Sequence, residues 1–202
     1  MRATILSLIL LSLLRIFPSF PQHWTQTPDE TIWREKYTNC DKGYMVSLAT
    51  GVVAHGGLPP NPNHGFLVSA KDPDTFAEVT LEAERLVGVY DTYDAMEFGS
   101  AQAYLRGELE RAGSVEVLEK HDMKFRGLPT AYVHYRKKTG DVAIETEKII
   151  VFRGHPKNLS PIFYVIWLST PSSYYEEDRK LYGQIRDGFH LIPVPRGKCS
   201  ND

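Results

Sequence analysis

The chain has 202 residues, 42% of them hydrophobic and 24% charged, which is ordinary for one soluble globular domain. Its 23 basic and 25 acidic residues give a net charge of -2 and are mixed along the sequence. Surfaces that bind nucleic acid or anionic membranes concentrate Lys and Arg, so this balance excludes a polynucleotide partner from our expectations.

Residues 1–22 have the pattern of an export signal. Arg2 precedes the apolar run "ILSLILLSLL", Ile5 to Leu14, which is too short for an ordinary membrane-spanning helix and fits the core of a signal peptide. No small-x-small cleavage site is evident between Phe17 and Gln22. The segment is therefore interpreted as a signal peptide or an uncleaved N-terminal anchor, and we expect a secreted or periplasmic protein that meets the membrane only through this segment.

The chain contains two cysteines, Cys40 and Cys199. In an oxidising compartment a disulfide between them would join the two ends of the domain. A bridge closing so long a loop would stabilise the fold by about 4 to 5 kcal/mol in the chain-entropy model. The alternative is two unrelated thiols near the termini.

The first half of the chain predicts an N-terminal arm, three strands and a helix. Residues 23–42 are assigned to the arm, and the strands are expected at 44–49, 65–70 and 77–84, where short alternating or β-branched runs are separated by turn residues. Apolar residues then recur at the spacing of one helical face, with Asp91 or Asp94 as N-terminal cap and Gly113 as the stop. This face consists of Phe98, Ala101, Leu105, Leu109 and Ala112.

The second half predicts a four-stranded meander and a closing helix. Strand-like runs at 115–125, 129–138, 144–152 and 162–170 are joined by short turns, which favour antiparallel neighbours. Ser173 and Glu176 have the spacing of a capping box, and Gly188 marks the helix end. The buried helix face is expected at Tyr174, Asp178, Leu181, Ile185 and Phe189. The predicted fold class is α+β, an antiparallel sheet with helices packed on it.

Three stretches resemble the PsbP-like family, which is named for the extrinsic P subunit of photosystem II. They are "KGYMVSLATGVV", "KFRGLPTAYVHYRKK" and "FYVIWLSTPSSYYEEDRKLYGQIRDGFHLI". The resemblance covers residues 43–192, leaves 193–202 as a C-terminal tail, and implies an α/β/α sandwich. Members are mostly accessory or binding proteins, so it implies no catalytic residues. One departure is "ATG" at 49–51, where the family usually has a proline-glycine turn.

The loop "HGGLPPNPNHGF", residues 55–66, is the candidate ligand site. Its glycines and prolines also suit a structured turn that needs no ligand. The candidate ligand-binding residues are His55, Asn61, Asn63 and His64. In the metal hypothesis, His55 and His64 hold a divalent ion together with His134 or His155.

Catalytic motifs are not evident in the sequence. It has no G-x-S-x-G elbow and no S-x-x-K, and its serines suit turns and helix caps. Glu145 and Glu147 alternate along a predicted strand, as do Glu82 and Glu84, which is typical of a solvated strand face and is also the pattern of paired acid/base carboxylates. Aromatic residues concentrate at core spacing, with a groove for peptide, glycan or small apolar ligands as the alternative.

These observations favour a non-catalytic binding or accessory protein of the envelope, without a cofactor. Its partner would be a protein, a peptide or a small molecule. The alternatives are a metal-binding protein or metal-dependent enzyme that uses His55 and His64, and a purely structural envelope protein held by residues 1–22.

Overall fold

The computed structural model of the chain describes residues 30–57, 65–69, 85–93, 95–154 and 161–193. The strands are β1 Glu30–Arg34, β2 Lys36–Asn39, β3 Tyr44–Ser47, β4 Val53–Gly57, β5 Gly65–Ser69, β6 Leu86–Thr92, β7 Glu116–Phe125, β8 Leu128–Thr139, β9 Val142–Arg153, β10 Ile162–Pro171 and β11 Phe189–Leu191. The α-helices are α1 Ala95–Phe98, α2 Ala101–Ala112 and α3 Tyr175–Gly188, and a short 3-10 turn occupies Ser172–Tyr174.

Eight strands form one sheet in the order β1-β4-β5-β6-β10-β9-β8-β7, and β11, β3 and β2 form a second sheet in that order. The predicted meander is confirmed, because β7 to β10 pair successively and antiparallel. Its tight turns use backbone that favours glycine, with φ of 80° at Gly127 and 62° at Gly140. On its other side β10 pairs with β6, which joins the early strands to the meander.

Side chains alternate between two cores on opposite faces of the large sheet. On one face, Ile149, Ile166 and Tyr164 pack with residues of α3 and the small sheet. On the other face, Ile150 and Phe163 pack with residues of α2. A sheet covered by a helix on each face is the α/β/α sandwich that the family resemblance implied.

Helix α2 is confirmed from Ala101 onward, but Phe98 of the predicted face lies in the separate helix α1, and the N-terminal cap was predicted wrongly. The side chain of Ser100 accepts a hydrogen bond from the backbone of Ala103 at 3.1 Å and caps the helix. Asp91 instead lies buried in β6, where its carboxylate is 2.9 Å from Nζ of Lys42, and Asp94 lies outside the described residues. The helix ends at Gly113, as predicted.

The closing helix is confirmed with a different start and a different buried face. No side-chain cap forms at Tyr174, so the predicted box of Ser173 and Glu176 is wrong, and α3 begins at Tyr175 after the 3-10 turn. Tyr174 is 41% exposed and does not belong to the buried face. That face consists of Tyr175, Asp178, Tyr182 and Ile185.

The N-terminal part of the chain contains more strand than the pattern predicted. Residues 30–39 of the predicted arm form β1 and β2, one strand in each sheet. Of the three expected early strands, β3 and β5 are present and 77–84 lies outside the described residues. No helix in the described ranges is long and apolar enough to cross a membrane.

Cys40 follows β2 directly, and the part of the chain that the structure describes contains no free cysteine. Cys199, its expected partner, lies outside the described residues. The disulfide between them therefore stays a prediction.

Candidate binding groove

A groove of about 320 Å³ lies between helix α2 and strand β7, the edge strand of the large sheet. This α2–β7 groove is lined by Gln102, Leu105, Arg106, Leu109, Lys120, His121 and Asp122. Its volume is at the lower end of the range for sites that hold small ligands.

The geometry of the groove follows from how α2 lies on the sheet. Ala101, Tyr104 and Leu105 are buried in the core beneath the helix, which packs on β8 and β9. Leu109 lies one turn beyond Leu105 on the same helix face, and both line the groove together with Arg106. The helix covers β8 and β9 and leaves β7 uncovered, so the groove forms along the boundary.

The groove combines an apolar floor with charged walls. Leu105 is 4% exposed and Leu109 is partly buried, while Arg106, Lys120 and Asp122 are exposed. Among the ion pairs of the described residues, none involves Arg106 or Lys120. Two cations and one carboxylate give the groove a positive balance, which suits a ligand with an apolar body and an anionic group.

The predicted ligand loop is only partly described. His55 lies in β4, with Ile32 of β1 and Leu67 of β5 opposite it in the sheet. The other three candidates, Asn61, Asn63 and His64, lie outside the described residues, and so does His155. Ligand binding by this loop stays a prediction.

The structure excludes His134 as the third ligand of a metal ion that His55 binds. His55 on β4 and His134 on β8 are separated by five strand-to-strand steps in the large sheet, or about 24 Å at the usual strand spacing. Metal ligands must converge within a few ångströms of the ion, so these two histidines do not share one. Within the described ranges, no three His, Cys, Asp or Glu side chains are placed to hold a metal ion.

Glu145 and Glu147 are buried, so the interpretation of a solvated strand face was wrong for this pair. Glu145 is 2% exposed and accepts hydrogen bonds from Nε of Arg136 at 2.8 Å and Oγ of Ser172 at 2.9 Å, and Nε2 of His134 is 2.7 Å from its other oxygen. Burial raises the pKa of Glu145, but the bonds from its donors outweigh burial and hold this pKa below the ordinary value of 4.5.

Glu147 is 1% exposed and joins the same face of the sheet to α3. Oη of Tyr175 donates to it at 2.8 Å, and Nε of Arg179 lies 3.2 Å from the same oxygen. Burial and the bond to Glu147 raise the pKa of Tyr175, so this phenol remains a donor. The ring of Tyr175 also stacks on His134, with ring centroids 4.6 Å apart.

This carboxylate cluster joins three elements of the fold, because Glu145 and Glu147 of β9 accept hydrogen bonds from side chains of β8 and α3. Buried carboxylates need such partners because an unpaired charge in the interior is costly. Glu82 and Glu84, the other alternating pair, lie outside the described residues.

Most of the clustered aromatic residues are core residues, as their spacing predicted. Tyr132, Phe163, Tyr164, Tyr175 and Tyr182 are all buried. The α2–β7 groove is lined instead by aliphatic and charged side chains. Sequence reasoning missed this groove because Arg106 and Lys120 have no motif spacing, and only the packing of α2 beside β7 brings them together.

The sequence matches no family model and no curated protein. Comparison with solved structures finds similar proteins, three of which are described below. CyanoP, the cyanobacterial PsbP of Synechocystis sp. PCC 6803, is 13% identical with a TM-score of 0.50 over 84% of this chain and 96% of CyanoP.

Two further similar structures have lower TM-scores. PA94 of Pseudomonas aeruginosa, a protein of unknown function and putative regulator, is 11% identical with a TM-score of 0.45, over 83% of this chain and 99% of PA94. LpqN, involved in cell envelope biogenesis of Mycobacterium tuberculosis, is 10% identical with a TM-score of 0.44, over 84% of this chain and 88% of LpqN. On the similarity to CyanoP together with its own topology, the chain has a PsbP-like fold.

Proposed function

We propose that this protein is a secreted or envelope-associated binding protein that acts without catalysis and holds a small amphipathic anion in the α2–β7 groove. The observation that carries the proposal is the groove itself, in which Leu105 and Leu109 form an apolar floor beside the cations Arg106 and Lys120. The apolar body of a ligand would contact the leucines, and its carboxylate or phosphate would meet the cations.

The location outside the cytoplasm is supported by residues 1–22, whose short apolar run fits a signal peptide or anchor. We propose that Cys40 and Cys199 form a disulfide in that compartment. Intact-mass measurement of unreduced and reduced protein tests the bridge. A gain of two hydrogens on reduction supports it, and two alkylatable thiols in the native protein would contradict it.

The groove is tested with an anionic, apolar fluorophore, 1-anilinonaphthalene-8-sulfonate, and with decanoate and decanol as competitors. We expect the fluorophore to bind and decanoate to displace it more effectively than decanol, because only decanoate carries the anionic group. Both Arg106→Gln and Leu109→Asp should weaken binding of the fluorophore, the first by removing a cation and the second by placing a charge on the apolar floor.

Lys138→Gln is the matched control, since Lys138 is an exposed cation at the far end of the β8–β9 hairpin. It should leave binding of the fluorophore unchanged. If Arg106→Gln and Leu109→Asp bind the fluorophore as the unaltered protein does, while circular dichroism shows all of them folded, the groove is not the binding site.

A further inference from the structure

Strand β7 is an edge strand whose outer side pairs with no other strand in the described part of the chain. Its residues 116–122 are exposed, and Val117 and Leu118 are two large apolar side chains at 44% and 39% exposure. The pairing of β7 with β8 shifts register between Val117 and Glu119, so the regular part of this edge begins at Glu119. From there the exposed edge offers a row of backbone donors and acceptors to another strand. The identity of the strand that it fits is indicated by the charges along it.

We propose that β7 pairs with β7 of a second copy of this chain, antiparallel and centred on His121, so that the two large sheets become one. This inference does not depend on the proposed function. It rests on the order of charges in "EKHDM", residues 119–123, which is complementary to itself when the strand is reversed.

A symmetric antiparallel pair has its twofold axis perpendicular to the sheet, because each copy then presents the same surface to the other. Residues at equal distances on either side of the centre lie opposite each other. With His121 at the centre, Lys120 faces Asp122 of the second copy, and Asp122 faces its Lys120. The register therefore contains two pairs of opposite charge on one face of the sheet.

The two adjacent registers lack this match. Centring the pair on Lys120 places that cation opposite itself, and centring it on Asp122 places two carboxylates together and sets Lys120 opposite Lys124. Like charges directly opposite each other destabilise strand pairing. Centring the pair on Met123 also sets Asp122 opposite Lys124, but it places two cations, Lys120 and Arg126, opposite each other. The charges that would protect an edge from an unrelated strand therefore favour the proposed register.

The face of the sheet is also consistent with this pairing. Lys120 lies opposite Val133 of β8, a residue of the core beneath α2, so Lys120 and Asp122 lie on the α2 face. His121 lies on the other face, where its ring stacks on Tyr132 with centroids 4.6 Å apart. A twofold axis at His121 places both α2–β7 grooves on the same face of the joined sheet.

The first test is a disulfide trap in the full chain, solubilised in mild detergent. In the proposed register residue 121 faces its own counterpart at the distance of a direct cross-strand pair, about 5 Å between Cβ atoms. His121→Cys should form a covalent dimer on mild oxidation. Asp122→Cys, one residue along, and Lys138→Cys, exposed on β8, should form far less of it. Equal crosslinking of all three variants, or none of His121→Cys, would overturn the proposal.

The second test is a charge exchange measured by sedimentation velocity over a concentration series. Lys120→Asp and Asp122→Lys each replace two opposite-charge pairs by two like-charge pairs, so each should weaken dimerisation by roughly tenfold or more. The double variant, Lys120→Asp with Asp122→Lys, restores opposite charges and should recover the dimer. A double variant as weak as the single ones, or an unaltered chain that stays monomeric at every concentration, would refute the pairing. Arg106→Gln should dimerise normally, which separates this test from that of the groove.

Discussion

Replacing Asp178 with Asn tests whether the buried ion pair between Asp178 and Arg85 contributes more to stability than an exposed one does. The Asp178 side chain is 1% exposed and accepts hydrogen bonds from Nε of Arg85 at 2.9 Å and from Oγ1 of Thr170. These partners join the residue before β6, the end of β10 and the first turn of α3. The Arg85 side chain is itself only 10% exposed, so removing the carboxylate charge leaves a largely buried cation whose remaining anionic neighbour, Glu177, is exposed to solvent.

The structure permits an estimate of the loss. Breaking a buried ion pair by removing one partner typically costs 3–5 kcal/mol, and Asn keeps the size of the side chain and one acceptor, so we expect about 3 kcal/mol. In a domain of this size a loss of 1 kcal/mol lowers the Tm by about 2–4 °C, so the Tm should fall by about 6–12 °C. Urea unfolding followed by tryptophan fluorescence measures the free energy of unfolding directly.

Glu177→Gln is the matched control, since Glu177 also lies beside Arg85, at 3.4 Å, but is 70% exposed. An exposed ion pair contributes about 0–1 kcal/mol. If Glu177→Gln destabilises the protein as much as Asp178→Asn does, burial is not the cause. A loss below about 0.5 kcal/mol in Asp178→Asn would refute the reasoning as well.

Two further predictions concern α3 and the carboxylate cluster. Gly183→Ala should raise the free energy of unfolding by about 0.5–1 kcal/mol, because it replaces a mid-helix glycine where nothing lies within 4 Å of an added Cβ. Gly188→Ala should lower the free energy of unfolding, because its Cβ would collide with the backbone oxygen of Ser47. Thermal melts of both variants test these opposite signs. The pKa of Glu145 is lower in the folded state than its ordinary 4.5, so its contribution to stability is fully present above pH 4.5 and is lost as the pH falls through the lowered pKa. Urea unfolding at a series of pH values should therefore show Glu145→Gln less stable than the unaltered protein at pH 7 and a smaller difference at pH 3, and a difference independent of pH would contradict this assignment.

The sequence by itself determined the elements whose signals are local. Strands β7 to β10 were predicted within a few residues, because alternation of apolar residues and short glycine-containing turns act over neighbouring residues only. Helix α2 and its end at Gly113 followed in the same way from spacing and a stop signal. Their antiparallel order needed no more than short connections.

Only the tertiary structure decided which polar residues are buried. Glu145 and Glu147 have the alternation of a solvated face, yet both are buried. Helix α3 supplies Tyr175 and Arg179 as donors to Glu147 from about 30 residues further along the chain. Asp91, which was predicted as a cap, is instead held in β6 by a salt bridge to Lys42. Whether a charged side chain is buried, or caps a helix, depends on partners that are distant in sequence. A local sequence pattern does not show where those partners lie in the fold.

The α2–β7 groove also combines features that the sequence predicts with features that only the tertiary structure decides. Leu105 and Leu109 were predicted on the helix, but the groove exists because α2 covers β8 and β9 and stops short of β7. How far a helix extends over a sheet is fixed by packing between elements, since the side chains on both surfaces must interlock. The position of the groove was therefore decided by tertiary structure alone, whereas the charges of β7 that predict its pairing with a second copy can be read directly from the sequence.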